Sequence, residues 1–444
     1  MSKLKVVIIG GGSNAWVPNI VKDMLLTDGL SGAEFVLYDI NKKASDLCKA
    51  FLDKLAKKLG VQATIISTDN QAAAFRNGQY FVITISTGGF DAMAHDLAIP
   101  EDYGIYHTVG DTSGPGGWAR TIRNFDVFVG LAHAINKYAP GAMVLNYTNP
   151  MITLTDVLSR LCDGPVVGLC HGLFENLHFI KEFYKLESED QIAVKYAGLN
   201  HFFWITQAHA GKTDVIADLR KRLKKTSLSK LLCTSHADPM GFSSGRDVAD
   251  ELFHLTDVMP YLGDRHTCEY YPWYITNKSN IRKYRIKRTS IRQRWEWFYK
   301  RQKELKDMIK GAIPEFYFKR SRETAADIIS AHCQGKTFID VGNTVNHGQI
   351  SNLPMGCVVE TAVRVDRNGI TPISYGDLPE VVAGMIEPWT RVFGMTADAC
   401  FAGDKAMALR ALRLDPLCSH LNTQQTNELG MRLLDAHKRF VKCF

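Results

Sequence analysis

Over the first 170 residues, short unbroken apolar runs alternate with stretches whose apolar positions recur at helical spacing. In LKVVIIGGGSNAWVPNIVKDMLL the continuous β-branched run predicts a strand buried on both faces, and NIVKDMLL predicts the helix that follows it. EFVLYDI, YFVITIS (80–86), AMVLNYT (142–148) and PVVGLC (165–170) repeat the same kind of run, with helical patterns between them. That rhythm predicts a doubly wound parallel sheet. After about residue 195 it gives way to longer, less regular segments, so a second unit is expected over 196–444, of α+β type.

The first strand–turn–helix reads G-x-G-x-x-A at Gly10, Gly12 and Ala15. The first glycine permits the turn, the second lets backbone N–H groups approach a pyrophosphate at the helix N-terminus, and the small third residue lets helix and strand pack closely. Asp39 ends the second strand at the distance expected of an acid that holds ribose hydroxyls. Its charge repels a 2′-phosphate, which favours NAD over NADP. Residues 1–195 are therefore read as a Rossmann-type NAD-binding domain, with Gly10, Gly12, Ser13, Asn14, Asp39 and Asn41 as the cofactor contacts. The plainer alternative is a structural glycine turn in another α/β fold.

Ligands of such sheets gather at the carboxyl ends of the strands, so TGGF, TNPM and CHG should point into one crevice beside the nicotinamide. VVGLCHG (166–172) and AGLNHFFW (197–204) bring Cys170 and His201 to the ends of apolar runs. Each alone is more often a core residue. Together they form a two-ligand divalent site, too sparse for structural zinc, whose shell substrate oxygens and water would complete. Thiolate and imidazole suit manganese, iron, cobalt or nickel better than magnesium, although manganese usually prefers oxygen donors.

Composition narrows the class. With 444 residues, 45% hydrophobic and 22% charged, the chain has the make-up of a globular protein with room for two domains. Its ten cysteines form no CxxC pair, which fits reduced thiols in the cytoplasm better than a disulfide framework. No apolar run is long enough to span a membrane, and the glycine-broken N-terminus does not read as a secretion signal. Much of the net charge of +7 lies in residues 278–310, a basic run dotted with aromatics. It reads as a solvated helix face, since the total charge is too small to favour nucleic acid.

Taken together, IIGGGS, NYTNP, GLCHG, GLNHFFW, PYLGDRHTCEYYP and NHGQISNLP occur in the order and approximate spacing of glycoside hydrolase family 4, which the chain resembles over essentially its whole length. Residues 96–124, with Gly263-Asp264-Arg265-His266, are most similar to the branch of α-galacturonidases and their α-glucosidase relatives. The resemblance implies a lactate/malate-dehydrogenase-like fold and NAD with a divalent metal such as Mn2+. It also implies a homodimer or homotetramer, with residues 196–444 carrying substrate and oligomer contacts. The implied cycle removes hydride from C3 of the sugar, which acidifies C2; a base takes the C2 proton, a metal-held enediolate expels the aglycone from C1, water adds and hydride returns. This family is an exception to two-carboxylate glycosidase chemistry.

By the same resemblance Cys170 and His201 are the metal ligands, Asn149 and Asn200 line the sugar, and Asp264 is the base, with a turn acid as its plainer reading. His171 stands where some relatives carry an acidic general acid, and Asp111 is its rival. The CHG triplet resembles glucuronide- and glucoside-cleaving relatives, whereas 96–124 resembles the galacturonide branch. Arg120, Arg265 and His266 are suited to a sugar carboxylate, because guanidinium forks match carboxylates. A uronide, first a galacturonide, is the expected substrate. An α-glucoside or 6-phospho-α-glucoside is the alternative within the family. A 2-hydroxy-acid dehydrogenase is the alternative outside it, and it needs no Cys/His pair.

Overall fold

In a computed structural model that describes residues 3–231 and 245–444, the early apolar runs fold as six parallel strands. These are β1 (Lys5–Ile9), β2 (Glu34–Tyr38), β3 (Thr64–Thr68), β4 (Tyr80–Ile83), β5 (Met143–Asn146) and β6 (Val166–Gly168). Their order across the sheet is β3-β2-β1-β4-β5-β6, that of a doubly wound dinucleotide-binding sheet. The unbroken β-branched run of β1 follows from burial on both faces. Val6 and Ile8 enter one core with the Val17–Leu25 and Lys42–Leu59 helices, and Val7 and Ile9 enter another with Gly114–Tyr138 and Met151–Leu161.

The strands stop before their apolar runs do: β4 at Ile83, β5 at Asn146 and β6 at Gly168. The residues beyond leave the ladder and turn toward the crevice. Edge strand β3, TIIST, buries mainly Ile65, and its outward Thr and Ser positions hid it in the hydropathy pattern.

Beyond β6 the sheet continues antiparallel through β11 (Phe338–Val345), β12 (Val358–Asp366), β7 (Ile192–Leu199), β8 (Phe202–Ala210) and β10 (Met259–Pro260). The short β13 (Gly369–Pro372) and β9 (Thr213–Asp214) add to β12 and β8. The last helices return to the first half of the chain. The Trp118 indole donates to the Ala408 carbonyl at 3.0 Å, and Leu412, Leu429 and Leu433 share a core with Ile122 and Phe125. Among the described residues no helix is long and apolar enough to cross a membrane, and nine cysteines are free thiols; Cys233 lies outside the described residues.

Candidate active site at the strand ends

At the tip of β1 the glycines are there because nothing larger fits. A Cβ on Gly10, at φ +88°, would lie 2.2 Å from the Thr84 carbonyl oxygen, and one on Gly12 would lie 2.6 Å from Ala44 Cβ and 2.9 Å from Asp39 Oδ2. Asp39, just past β2, accepts the Gly12 N–H on Oδ2 and the Asn41 N–H on Oδ1, both at 2.8 Å. The Ser13 N–H closes the turn on the Gly10 carbonyl. Asn14 is buried with its Nδ2 unpartnered. Asn41, expected as a cofactor contact, uses its side-chain oxygen to cap the Lys42–Leu59 helix. A side-chain-free cradle with an acid at the tip of β2 fits a dinucleotide.

Across the crevice Cys170 follows β6, and His201 occupies the turn between β7 and β8 at φ +61°. Left-handed backbone is rare for a non-glycine residue and concentrates at functional sites. Cys170 Sγ and His201 Nε2 lie 3.2 Å apart, and His201 Nδ1 lies 3.2 Å from Thr112 Oγ1. The His201 ring stacks on His266 at 3.8 Å and on Tyr261 at 5.8 Å. Burial, then His266, holds His201 well below its ordinary pKa, so it is neutral, the state a metal ligand requires. Burial and then Glu360 push the Cys170 thiol up to about 12. A cation at the pair reverses that preference by favouring thiolate. Among the described residues no group of three His, Cys, Asp or Glu is placed to hold a metal ion. The pair fits a borderline divalent ion whose remaining positions are open to oxygen ligands.

Charge surrounds the pair. Burial opposes ionisation of Asp111, but His266, Arg120, His201 and Arg294 outweigh it and hold this carboxyl well below the ordinary range. Arg120 ties two strand ends together, donating from Nε to the Asn149 carbonyl at 2.9 Å and from Nη2 to Ser86 Oγ at 3.2 Å. The Arg265 guanidinium reaches the Thr289 hydroxyl. Asn149 Oδ1, Asn200 Oδ1 and His266 Nδ1 are buried without partners among the described residues. Such atoms are rare unless a ligand completes them. Burial, against the pull of Asp111, lowers His266 to about 4.

The two proton-transfer candidates differ in setting. His171 is half exposed, 3.5 Å from Glu323 Oε1 and 5.6 Å from the Trp16 ring. Desolvation works against its charged form, and Glu323 more than offsets this, leaving the imidazole above its ordinary pKa. Asp264 is 2% exposed and accepts the N–H groups of Val248 and Ala249 at 3.1 and 3.0 Å, at the start of the Asp247–Thr256 helix. Burial raises it to about 7 despite those two N–H groups. It thus also anchors the start of a helix that precedes it in the chain, not the turn in which it sits.

Several contributors carry no one-dimensional signal. Glu269 accepts N–H groups from Thr108 at 2.6 Å, Val109 at 2.7 Å and Gly110 at 3.0 Å, and faces His107 Nδ1 at 3.2 Å. It thereby fixes the loop that presents Asp111 and Thr112. Glu360 accepts from Asn343 at 3.0 Å and Asn200 at 3.4 Å. The basic run 278–310 corrects an expectation: only part of it is a solvated face. Arg292 is 88% exposed, but Arg294 Nη2 donates to the Val109 carbonyl and Arg301 Nε to the Asn14 carbonyl, both at 3.3 Å. Seven residues apart on the Ile291–Lys310 helix, these arginines share one face, and that face turns inward.

Fold and site together define an α/β protein of the dinucleotide-binding type whose crevice joins a glycine cradle to a thiol–imidazole pair ringed by arginines. The sequence profile of family 4 glycosyl hydrolases matches residues 5–185, and that of the family's C-terminal domain matches 196–418. The chain belongs to this family. An α-galacturonidase of Thermoanaerobacter italicus is 30% identical over 454 residues, covering 99% of this chain and 97% of the relative. The crystal structure of lplD from Bacillus subtilis, a protein assigned as a glucosidase, superposes with a TM-score of 0.87 at 27% identity, covering 97% of this chain and all of that one. A 6-phospho-α-glucosidase from gut microorganisms, solved with NAD and Mn2+, gives 0.81 at 20% identity over 99% of each chain. A Plasmodium falciparum malate dehydrogenase shares the fold at a TM-score of 0.51 and 12% identity, covering 93% of this chain and 99% of that one.

Proposed function

We propose that this glycosyl hydrolase cleaves α-glycosides of hexuronic acids, α-galacturonides first among them, with NAD and a divalent metal, Mn2+ being the expected ion. The observation that carries the reading is the Cys170–His201 pair at 3.2 Å, facing a crevice where three arginines act on Asp111 and its surroundings. When bound, NAD supplies a hydride acceptor and the metal a Lewis acid for the sugar oxygens. The α-galacturonidase relative supports the sugar class, and the neighbour solved with NAD and Mn2+ supports the cofactors.

The chain's own residues do the rest. Asn149 and Asn200 offer buried carbonyl oxygens to sugar hydroxyls. Arg120, Arg265 and His266 line the pocket for the substrate's carboxylate. Asp264, at about 7, accepts the C2 proton near neutral pH. His171 donates to the departing oxygen, because its pKa is raised while Asp111 stays ionised and has no proton to give. Asp111 then balances the arginines. Residues 1–195 bind the dinucleotide, and 196–444 carry the substrate and the contacts of a homodimer or homotetramer. Free thiols support a cytoplasmic setting.

The test is hydrolysis of nitrophenyl α-galacturonide, α-glucuronide, α-glucoside and 6-phosphoglucoside, each with and without NAD, Mn2+ and reductant. The uronides should turn over fastest, and only with all three additions. Turnover without NAD, or preference for the α-glucoside, overturns this reading.

A further inference from the structure

The pattern of the basic run places Arg294 on a solvated helix face, yet the fold turns it inward, onto the loop that presents Asp111. It lies in the first turn of the Ile291–Lys310 helix, which is anchored at both ends of the cleft. Arg301 Nε holds the Asn14 carbonyl beside the glycine cradle, and Arg294 Nη2 holds the Val109 carbonyl beside Asp111. Among the described residues that is its one hydrogen bond, and its Nε is buried without a partner. A guanidinium keeps an orphaned, desolvated N–H only at a cost, unless an anion arrives to accept it.

Two carboxylates share this neighbourhood. Arg294, Arg265 and Arg120 all act on Asp111, and Glu269, held by His107 and the N–H groups of residues 108–110, acts on Arg265 and Arg294 as well. Among the described residues, however, neither carboxylate forms a hydrogen bond or ion pair with Arg294, whose one bond is to the Val109 carbonyl. Burial and then the opposing pulls of Asp111 and the other two arginines leave Arg294 at about 10, below its ordinary value but still charged.

We infer that Arg294 is a specificity residue of the glycone pocket, using its unpartnered Nε edge to take the carboxylate of a uronic acid. This rests on the reading of the enzyme as a uronide hydrolase. The planar carboxylate matches a guanidinium edge side-on, which an ammonium cannot reproduce. The same edge gives a neutral CH2OH group no charge-assisted bond. Arg294 thus discriminates rather than catalyses, and it joins Arg120 and Arg265 from a helix that also touches the dinucleotide loop.

The experiment is the selectivity ratio, kcat/KM for nitrophenyl α-galacturonide over nitrophenyl α-galactoside, in the NAD- and Mn2+-loaded enzyme. Arg294→Met should lower this ratio about 10- to 100-fold, the loss of a charged hydrogen bond, with NAD affinity by calorimetry close to wild type. Arg294→Lys should fall between, because charge remains but the fork is lost. Arg292→Met, altered on the exposed face of the same helix, should leave both substrates unchanged. A nitrophenyl 6-phosphoglucoside arm distinguishes carboxylate from phosphate: a ratio to neutral sugar that collapses for the phosphate rather than the uronide overturns the carboxylate assignment. Equal losses on uronide and galactoside in Arg294→Met overturn the role of Arg294 alone. A wild-type preference for galactoside overturns the uronide reading and this inference with it.

Discussion

At the dinucleotide end of the crevice most of the groups that would meet a ligand are backbone, and the side chains that shape them are already satisfied. Both oxygens of Asp39 accept N–H groups, Asn41 caps a helix, and among the described residues Asn14 Nδ2 is the buried side-chain atom left without a partner there. At the sugar end the groups are side chains, and several are held in place unsatisfied: Asn149 Oδ1, Asn200 Oδ1, His266 Nδ1 and Arg294 Nε. The first end is shaped to admit a ligand by leaving atoms out. The second is preorganised at a cost in stability, which a polar ligand offsets when it binds. Mutations at the two ends should therefore fail differently.

The largest expected difference is at the thiol–imidazole pair. Cys170→Ser or His201→Ala should reduce hydrolysis by at least about 1000-fold, the scale of losing a principal electrostatic stabiliser. NAD affinity by calorimetry should remain within about twofold, because the glycine cradle lies across the crevice. Parallel loss of NAD binding would show the two ends to be one site and break the comparison.

Next in size is Asp264, which stands between a catalytic and an architectural role. As the base, Asp264→Asn should lower kcat by about 100- to 10,000-fold and also abolish solvent deuterium entering C2 of the product. The amide oxygen can still accept from the Val248 or Ala249 N–H, so the circular dichroism spectrum should be unchanged. A variant that turns over and labels C2 like wild type leaves Asp264 as a helix anchor only.

A control lies outside the groups assigned to either ligand. Asp415 is 2% exposed, accepts the Leu417 N–H at 2.9 Å, and is raised to about 7 by burial, against the pulls of that N–H and His107. Between about pH 4 and 7 the folded chain holds a proton that the unfolded chain releases, so this group makes stability fall as pH rises through that window. Asp415→Asn lacks this loss. It should match wild type in urea unfolding below pH 4 and then gain a margin that grows to pH 7 and levels off, on the order of 4 kcal/mol. Hydrolysis should not change. A pH-independent margin would mean that burial does not set this pKa, and would weaken the same argument for Asp264.

The contrast between the ends also explains what could be read in advance. The glycine cradle and Asp39 sit within thirty residues of each other and obey a local rule, strand then turn then helix, so spacing alone located them. Five of the six parallel strands were visible for the same reason; β3 was not, since as an edge strand it buries too little. Cys170 and His201 were legible because each ends an apolar run. Glu269 and Arg294 were not. Glu269 works by reaching 159 to 161 positions back along the chain, and Arg294 sits in a run whose composition is that of a solvent-facing helix. Only folding reveals which arginine of such a run turns inward.

The smallest effect expected is at Asp39, and it tests the claim that the dinucleotide end recognises chiefly by shape. Its carboxylate accepts N–H groups from Gly12 and Asn41, which leaves its outer lone pairs to receive ribose hydroxyls and its charge to repel a 2′-phosphate. Wild type should therefore bind NAD more tightly than NADP, and Asp39→Ala should narrow that gap about tenfold, weakening NAD and strengthening NADP together. The part of the gap that is repulsion should shrink as salt is raised, since the screening length falls from about 10 Å at 0.1 M to about 3 Å at 1 M. With NAD saturating, sugar turnover in Asp39→Ala should stay within about twofold of wild type, because the thiol–imidazole pair and its arginines are untouched. Equal affinities for the two dinucleotides in the wild-type protein would remove Asp39 from recognition altogether. A fall in turnover at saturating NAD would instead show that the cradle positions the nicotinamide for the sugar and does not merely hold it.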